Sequence, residues 1–124
     1  MNRILIRILL SCLSLFCLSC FEEKDLGFPK NVSFSKEGGE MTISGNRSFT
    51  HAVIQDYKGN HGSIQSDADG RIFNVYDWLK VEYVELSNDA LKIFAESNTK
   101  GESRKLYVEI HSGQEYQVIK VTQF

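Results

Sequence analysis

The stretch Lys105–His111 reads KLYVEIH and carries the clearest structural pattern in the chain. Its apolar side chains occupy every second position: Leu106, Val108 and Ile110. A second alternating stretch with Ile119 and Val121 follows after a turn that contains Gly113. Because alternation with period two marks a strand that is buried on one side, the two stretches predict an antiparallel hairpin.

The same period of two recurs upstream, separated by turns every ~8–12 residues, in stretches that begin near Val32, Met41, Phe49, Ile72, Leu79 and Leu91. No amphipathic pattern long enough for a crossover helix is visible. The pattern therefore predicts an all-β fold, a two-sheet sandwich of about seven or eight strands. The polar stretch Asp56–Gly70 contains three glycines, so we expect it to be the longest irregular segment.

The first 20 residues have the three-part layout of an export signal. Arg3 and Arg7 form a basic start, residues 8–18 are almost entirely apolar, and the small Ser19 precedes Cys20. The apolar part is shorter than the ~20 residues that a membrane-spanning helix needs. We expect this leader to be removed by a peptidase.

Cys20 with its leader resembles a bacterial lipoprotein signal, in which the cysteine thiol receives diacylglycerol before cleavage. Leu9–Cys12 offers a second match, but cleavage there would leave an apolar terminus. The resemblance implies a lipid bilayer as partner, held through acylated Cys20, and the alternative is a secreted protein cut nearby. All three cysteines lie in the first 20 residues, so we expect no disulfide in the exported part.

This reading divides the chain into a signal peptide (residues 1–19), an acylated cysteine with an acidic tether (20–30) and one domain (31–124). The acidic start of the tether, Phe21–Asp25, resembles the surface-export signal of Bacteroidetes lipoproteins and implies an outer-membrane protein facing the cell exterior. An ordinary solvated tether is the other interpretation. Without the leader the chain has 12 basic and 16 acidic residues, so its net charge of −4 argues against a nucleic-acid partner.

Several landmarks follow one another along the domain: Val32–Phe34, Gly38-Gly39, Asp77–Val81, Asn98–Gly101 with Arg104, and Ile119–Gln123. Their order resembles the BACON family, the Bacteroidetes-associated, often N-terminal, carbohydrate-binding domains. The resemblance covers about residues 31–124. It implies an immunoglobulin-like antiparallel β-sandwich and binding to glycans or mucin. It also places Trp78 inside the domain, so we expect a core role for this side chain rather than a sugar platform.

Asn98–Arg104 is expected to form a tight turn, in which Gly101 has a positive φ and Arg104 binds loop carbonyls. The irregular stretch Asp56–Gly70 is the place where we expect a binding site, because polar loops vary without cost to the core. Candidate glycan-binding residues, with stacking rings or hydrogen-bonding groups, are Tyr57, His61 and Tyr76, with Asp56 and Asn60 binding hydroxyls. An ordinary solvated loop is the alternative.

No residue set predicts catalysis, a metal or a cofactor. His51, His61 and His111 are far apart in the sequence and lack a neighbouring cysteine, which argues against zinc. Asp67–Gly70 lacks the later ligands of a calcium loop, and no motif places a nucleophile beside a base. Together with the ligand that the BACON resemblance implies, this leads us to expect a noncatalytic glycan-binding protein of the cell envelope. The alternative is a structural spacer or a docking accessory of an envelope protein partner.

Overall fold

The computed structural model describes residues 21–84 and 90–124, which fold into ten β-strands. The first five strands are β1 (Glu22–Glu23), β2 (Asn31–Phe34), β3 (Gly39–Ser44), β4 (His51–Gln55) and β5 (Ser63–Ser66). The other five are β6 (Arg71–Tyr76), β7 (Leu79–Val84), β8 (Ala90–Ala95), β9 (Arg104–Ser112) and β10 (Glu115–Gln123). The all-β prediction is confirmed, with more strands than expected. The leader and Cys20 lie outside the described residues.

The strands form two five-stranded sheets. In the front sheet, β1 and β2 both pair with β10, which is followed by β9 and then β4. The back sheet has the order β3-β8-β7-β6-β5. The buried apolar side chains of β9 and β10 all belong to one hydrophobic core with side chains of the back sheet: Leu106, Val108, Ile110, Ile119 and Val121. The sandwich is therefore closed by the alternating residues that predicted it.

The hairpin of β9 and β10 is present as predicted. Its strands are antiparallel, and Ser112 pairs with Glu115, so that Gly113 and Gln114 form the turn. Gly113 has a φ of 63°, a conformation that glycine adopts without a steric penalty. This hairpin fixes which side chains of the front sheet stand opposite one another.

The segment interpreted as a tether is part of the fold. Both β1 and β2 run parallel to β10, unlike the antiparallel pairs elsewhere. Between them, Leu26 and Phe28 are buried in the core. The side chain of Gln117 connects them to β10, because its Oε1 accepts hydrogen bonds from Leu26 N at 2.8 Å and Phe28 N at 3.3 Å. Sequence reasoning missed this because the two apolar residues stand among charges without a longer alternation.

The stretch Asp56–Gly70 is less irregular than predicted, since it contains β5, which pairs with β6. All four residues of β5 are exposed, so its sequence lacks the alternation of a half-buried strand. The hairpin turn is held by Asp67, whose Oδ1 accepts hydrogen bonds from Asp69 N at 2.9 Å and Arg71 N at 3.0 Å. The Asp67 carboxylate therefore stabilises the turn that joins β5 to β6.

The predicted turn at Asn98–Arg104 is confirmed in its details. Gly101 has a φ of 74°. The guanidinium of Arg104 donates from Nη2 to the carbonyls of Glu96 and Ser97, each at 3.3 Å. Trp78 is buried, with 3% of its surface exposed, as expected for a core residue.

Candidate functional site

The outer face of the front sheet carries six ring-bearing side chains, and we call this surface the aromatic face: Phe21, His51, Tyr57, Tyr107, His111 and Tyr116. Three of them come from β9 and β10, at the positions that alternate with the core residues. The strand register then places His51 and Tyr116 on either side of His111. A row of rings across three strands is the result.

The rings of this row are in direct contact. The ring centroids of His51 and His111 are 4.4 Å apart with planes at 10°, and those of His111 and Tyr116 are 5.6 Å apart. Phe21 packs edge-on against His111 at 6.1 Å. These rings lie on the solvent side of the sheet, outside the core. Because rings stacked in this way turn their faces toward one another, the row presents mainly ring edges to solvent.

Tyr57 extends this surface beyond β4. Its ring centroid lies 4.0 Å from that of Tyr107, and the residue is 66% exposed. Its φ of 70° is in the left-handed region, which costs a residue with a Cβ roughly 1–2 kcal/mol. Backbone strain at an exposed aromatic residue is typical of a ligand-contacting position.

The carboxylate of Asp56 holds the loop that presents Tyr57. Its Oδ1 accepts hydrogen bonds from Lys58 N at 2.7 Å and Asn60 N at 3.2 Å. Its Oδ2 accepts from Asn60 Nδ2 at 2.9 Å and from the Tyr76 hydroxyl at 2.8 Å. The side-chain hydrogen bond from Asn60 and then that from Tyr76 hold the pKa of Asp56 well below its ordinary value. The carboxylate therefore stays ionised and shapes the loop.

Tyr76 and Asp56 were predicted to contact a glycan, but the structure places them in contact with each other behind the loop surface. The Tyr76 ring packs against the core, and its hydroxyl donates to Asp56, which raises the pKa of that hydroxyl. Both Asp56 oxygens are occupied within the loop. The structure places Tyr76 behind the candidate site as a support, while Tyr57 and His61 lie on its surface.

A groove of about 490 Å³ adjoins the aromatic face where β4 meets the segment 59–64. Val53 and Ile64 give it apolar walls, and His61 stands at its rim. Gln55, Glu109 and His111 belong both to the groove and to the outer face of the front sheet. Face and groove are therefore one continuous surface.

Polar groups in the groove are oriented by one another. The Oε2 of Glu109 accepts a hydrogen bond from Gln55 Nε2 at 2.7 Å, and its Oε1 lies 2.7 Å from His111 Nε2. Burial and then the neighbouring His111 lower the pKa of His51, so the His51 ring is neutral at neutral pH. Glu109 is the one carboxylate among the described groove residues, and none of them is lysine or arginine. The groove is suited to hydroxyl and amide groups and is unfavourable for an anion.

The groove wall needs glycine at one position. Gly62 N donates to the Ile54 carbonyl at 2.9 Å, and Ile54 N donates to Asn74 Oδ1 at 2.8 Å. A Cβ at Gly62 would lie 2.4 Å from Asn74 Oδ1, which is closer than side chains approach. The loop reaches β4 only because no side chain intervenes.

His51 and His111 are neighbours in space although 60 residues separate them in the sequence. Within residues 21–84 and 90–124, no three histidine, cysteine or acidic side chains form a group that could hold a metal ion. None of the described residues belongs to a helix capable of spanning a bilayer.

Comparison with known proteins identifies a solved structure with a similar fold. No model of a known protein family matches the chain, and no curated protein matches it significantly. The NMR structure of a protein from Bacteroides thetaiotaomicron is similar, with a TM-score of 0.54 and 17% sequence identity. The match covers 81% of this chain and 84% of that chain. At this identity the likeness shows the β-sandwich fold alone.

Sequence reasoning missed most of the aromatic face. The period of two along β9 puts Tyr107, Glu109 and His111 on the face opposite the core residues, which is where the structure places them. The missing information was the pairing with β4 and β10, which adds His51 and Tyr116. The β9–β10 turn predicts one of these two pairings, because a two-residue turn after Ser112 places Tyr116 opposite His111.

Proposed function

We propose that this chain is a lipid-anchored envelope protein whose sandwich binds glycans, without catalysis, on the aromatic face and in the adjoining groove. The observation that carries the proposal is the exposed ring of Tyr57, which lies on the same surface as the row of ring edges and an oriented carboxylate and amide. Sugar rings present apolar C–H faces that stack on aromatic rings, and hydroxyls that bind carboxylates and amides. The candidate site offers both on one surface.

The arrangement of Tyr57 supports binding more than stability. A core aromatic contributes through burial, whereas Tyr57 is mostly exposed and its backbone is strained. Four hydrogen bonds to Asp56 maintain the loop that holds it. The strained backbone at Tyr57 lowers the stability of the fold while the ring is left exposed to solvent. A contact with a ligand would explain this arrangement.

The ligand suited to this surface is a neutral or N-acetylated glycan. The groove volume lies within the ~300–1,000 Å³ range of small-molecule sites, and its charge comes from Glu109. A sulfated or uronic sugar placed beside this carboxylate would be repelled. Since the surface is open and shallow, we expect weak affinity that several sugar units improve.

Membrane attachment through Cys20 and an outward orientation remain part of the proposal. The leader, the small Ser19 and the acidic residues after Cys20 support them. The BACON resemblance of residues 31–124 supports the glycan ligand.

Affinity gel electrophoresis tests the glycan proposal. Protein that begins at Phe21 should migrate more slowly in gels that contain the recognised polysaccharide, tested across neutral plant glycans and mucin. Replacing Tyr57 by alanine should weaken the apparent affinity by roughly tenfold, equivalent to about 1.4 kcal/mol, because a stacking ring is lost.

Phe124→Ala is the matched control, because Phe124 is equally exposed, at 64%, but is not one of the rings of the aromatic face. Its retardation should equal that of the wild type. Unchanged migration of the wild type in every gel would contradict glycan binding and favour the spacer or docking role. Equal retardation of Tyr57→Ala and wild type would show that the ligand binds elsewhere.

A further inference from the structure

The residue that follows Cys20 is already fixed to the body of the sandwich. Phe21 packs against His111, and Glu22 N donates to the Gln114 carbonyl at 2.8 Å. The next residues continue this attachment, because Glu22 pairs with Glu115 and Lys24 N donates to the Tyr116 carbonyl at 2.8 Å. Consecutive Cα atoms are ~3.8 Å apart, so little slack separates Cys20 from the folded domain.

Salt bridges strengthen this attachment. Glu115 Oε2 lies 3.3 Å from Lys24 Nζ and 2.7 Å from Arg47 Nη2. These contacts join β1, the start of β10 and the turn after β3. With the Gln117 hydrogen bonds to Leu26 and Phe28, they make residues 21–28 part of the folded domain.

We propose that the sandwich is seated directly on the lipid headgroup layer by the end that bears the β9–β10 turn. This inference rests on the proposed acylation of Cys20, since the acyl chains must enter the bilayer within a few ångströms of Phe21. The opposite end, with the Asn98–Arg104 turn, then points away from the membrane. The nine residues of β9 span eight steps of ~3.3 Å, which separates the ends by about 26 Å.

This end of the sandwich contacts phospholipid headgroups because the residue before Phe21 is the acylated Cys20. Electrostatic attraction is not the cause, because Lys24 and Arg47 are paired with Glu115 while Glu22 and Glu23 are exposed. The covalent anchor alone fixes the orientation. Consequently the row of His51, His111 and Tyr116 lies nearest the bilayer, and a bound glycan is held beside the membrane.

Fluorescence quenching on vesicles tests this orientation with the full-length acylated protein. A fluorophore is attached to Gln114→Cys in one sample and to Lys100→Cys in another, on vesicles of phosphatidylethanolamine and phosphatidylglycerol that carry a nitroxide on the headgroup. We expect at least threefold stronger quenching at position 114. A ten-residue Gly/Ser insertion between Cys20 and Phe21 adds a reach of roughly 18 Å and should remove most of that difference.

The possible failures are distinguishable. Mass spectrometry and vesicle flotation first establish acylation, with Cys20→Ala as the variant that should remain unbound. Protein that is acylated and bound but equally quenched at both positions would overturn the seated orientation while leaving the anchor intact. Protein that is not acylated at Cys20 would overturn both the anchor and the orientation, and glycan retardation in gels would be unaffected.

Discussion

Replacing Trp78 by alanine is expected to lower the free energy of unfolding by about 3–5 kcal/mol, the usual cost of removing a buried tryptophan. Trp78 is 3% exposed and lies in the two-residue turn between β6 and β7. Its ring faces the guanidinium of Arg104, whose central carbon lies 4.7 Å from the ring centroid. Truncation would leave a cavity and remove the surface on which Arg104 is stacked.

Urea unfolding of the soluble protein measures this effect. The midpoint should fall sharply while the slope with urea stays that of the wild type, which would indicate a change in stability alone. Phe124→Ala is the control, since an exposed ring should change stability by less than ~0.5 kcal/mol. A loss for Trp78→Ala as small as that of the control would show that the tryptophan is not a core residue.

The second large effect is expected at Gln123, a completely buried polar side chain near the C-terminal end of β10. Its Oε1 accepts a hydrogen bond from Arg104 Nε at 2.8 Å. Its Nε2 donates to the carbonyls of Glu96 at 2.6 Å and Ser35 at 3.1 Å. One amide therefore joins the connection after β2, the end of β8 and the start of β9.

Gln123→Ala should cost about 2–4 kcal/mol, because each buried group left without a partner costs ~1–3 kcal/mol. Gln123→Glu should cost more, since a carboxylate oxygen would replace the donor that faces two carbonyls. Gln65→Ala, in the exposed strand β5, is the control and should be nearly neutral. If Gln123→Ala and Gln65→Ala have equal unfolding midpoints, the buried amide does not hold this end together.

The two sites should also be coupled. Arg104 stacks on Trp78 and binds Gln123, so the double variant should lose less than the sum of the single losses. Two parts of this network were among the landmarks of the sequence: the Asn98–Arg104 turn and the stretch Ile119–Gln123. Only the structure shows that the guanidinium connects the tryptophan to the glutamine.

The elements that the sequence predicted are those whose side chains alternate between core and solvent, such as β7, β8, β9 and β10. The strands it missed, β1 and β5, are short and fully exposed, so no hydrophobic pattern marks them. Their pairing depends on backbone hydrogen bonds, which join β1 to the distant strand β10 and β5 to its hairpin neighbour β6. The alternation of side chains in a sequence does not reveal which strands pair.

The candidate site was predictable where it depends on a loop and hidden where it depends on register. Tyr57 and His61 were predicted as candidates because irregular polar segments on a rigid scaffold often bind ligands. Tyr76 was chosen for its chemistry, but strand alternation turns it toward the core. The contact between His51 and His111 requires the antiparallel pairing of β4 with β9, which their sequence positions do not reveal.

Glycan titration followed by NMR tests the central claim, that the aromatic face and its groove are the binding surface. On addition of a glycan that retards the protein in gels, amide and ring signals of Tyr57, Tyr107, Glu109, His111 and Tyr116 should shift together and saturate. The outer face of the back sheet, with Phe73 and Phe94, should stay unchanged. Shifts confined to the back sheet, or no saturable shift with any such glycan, would contradict the account.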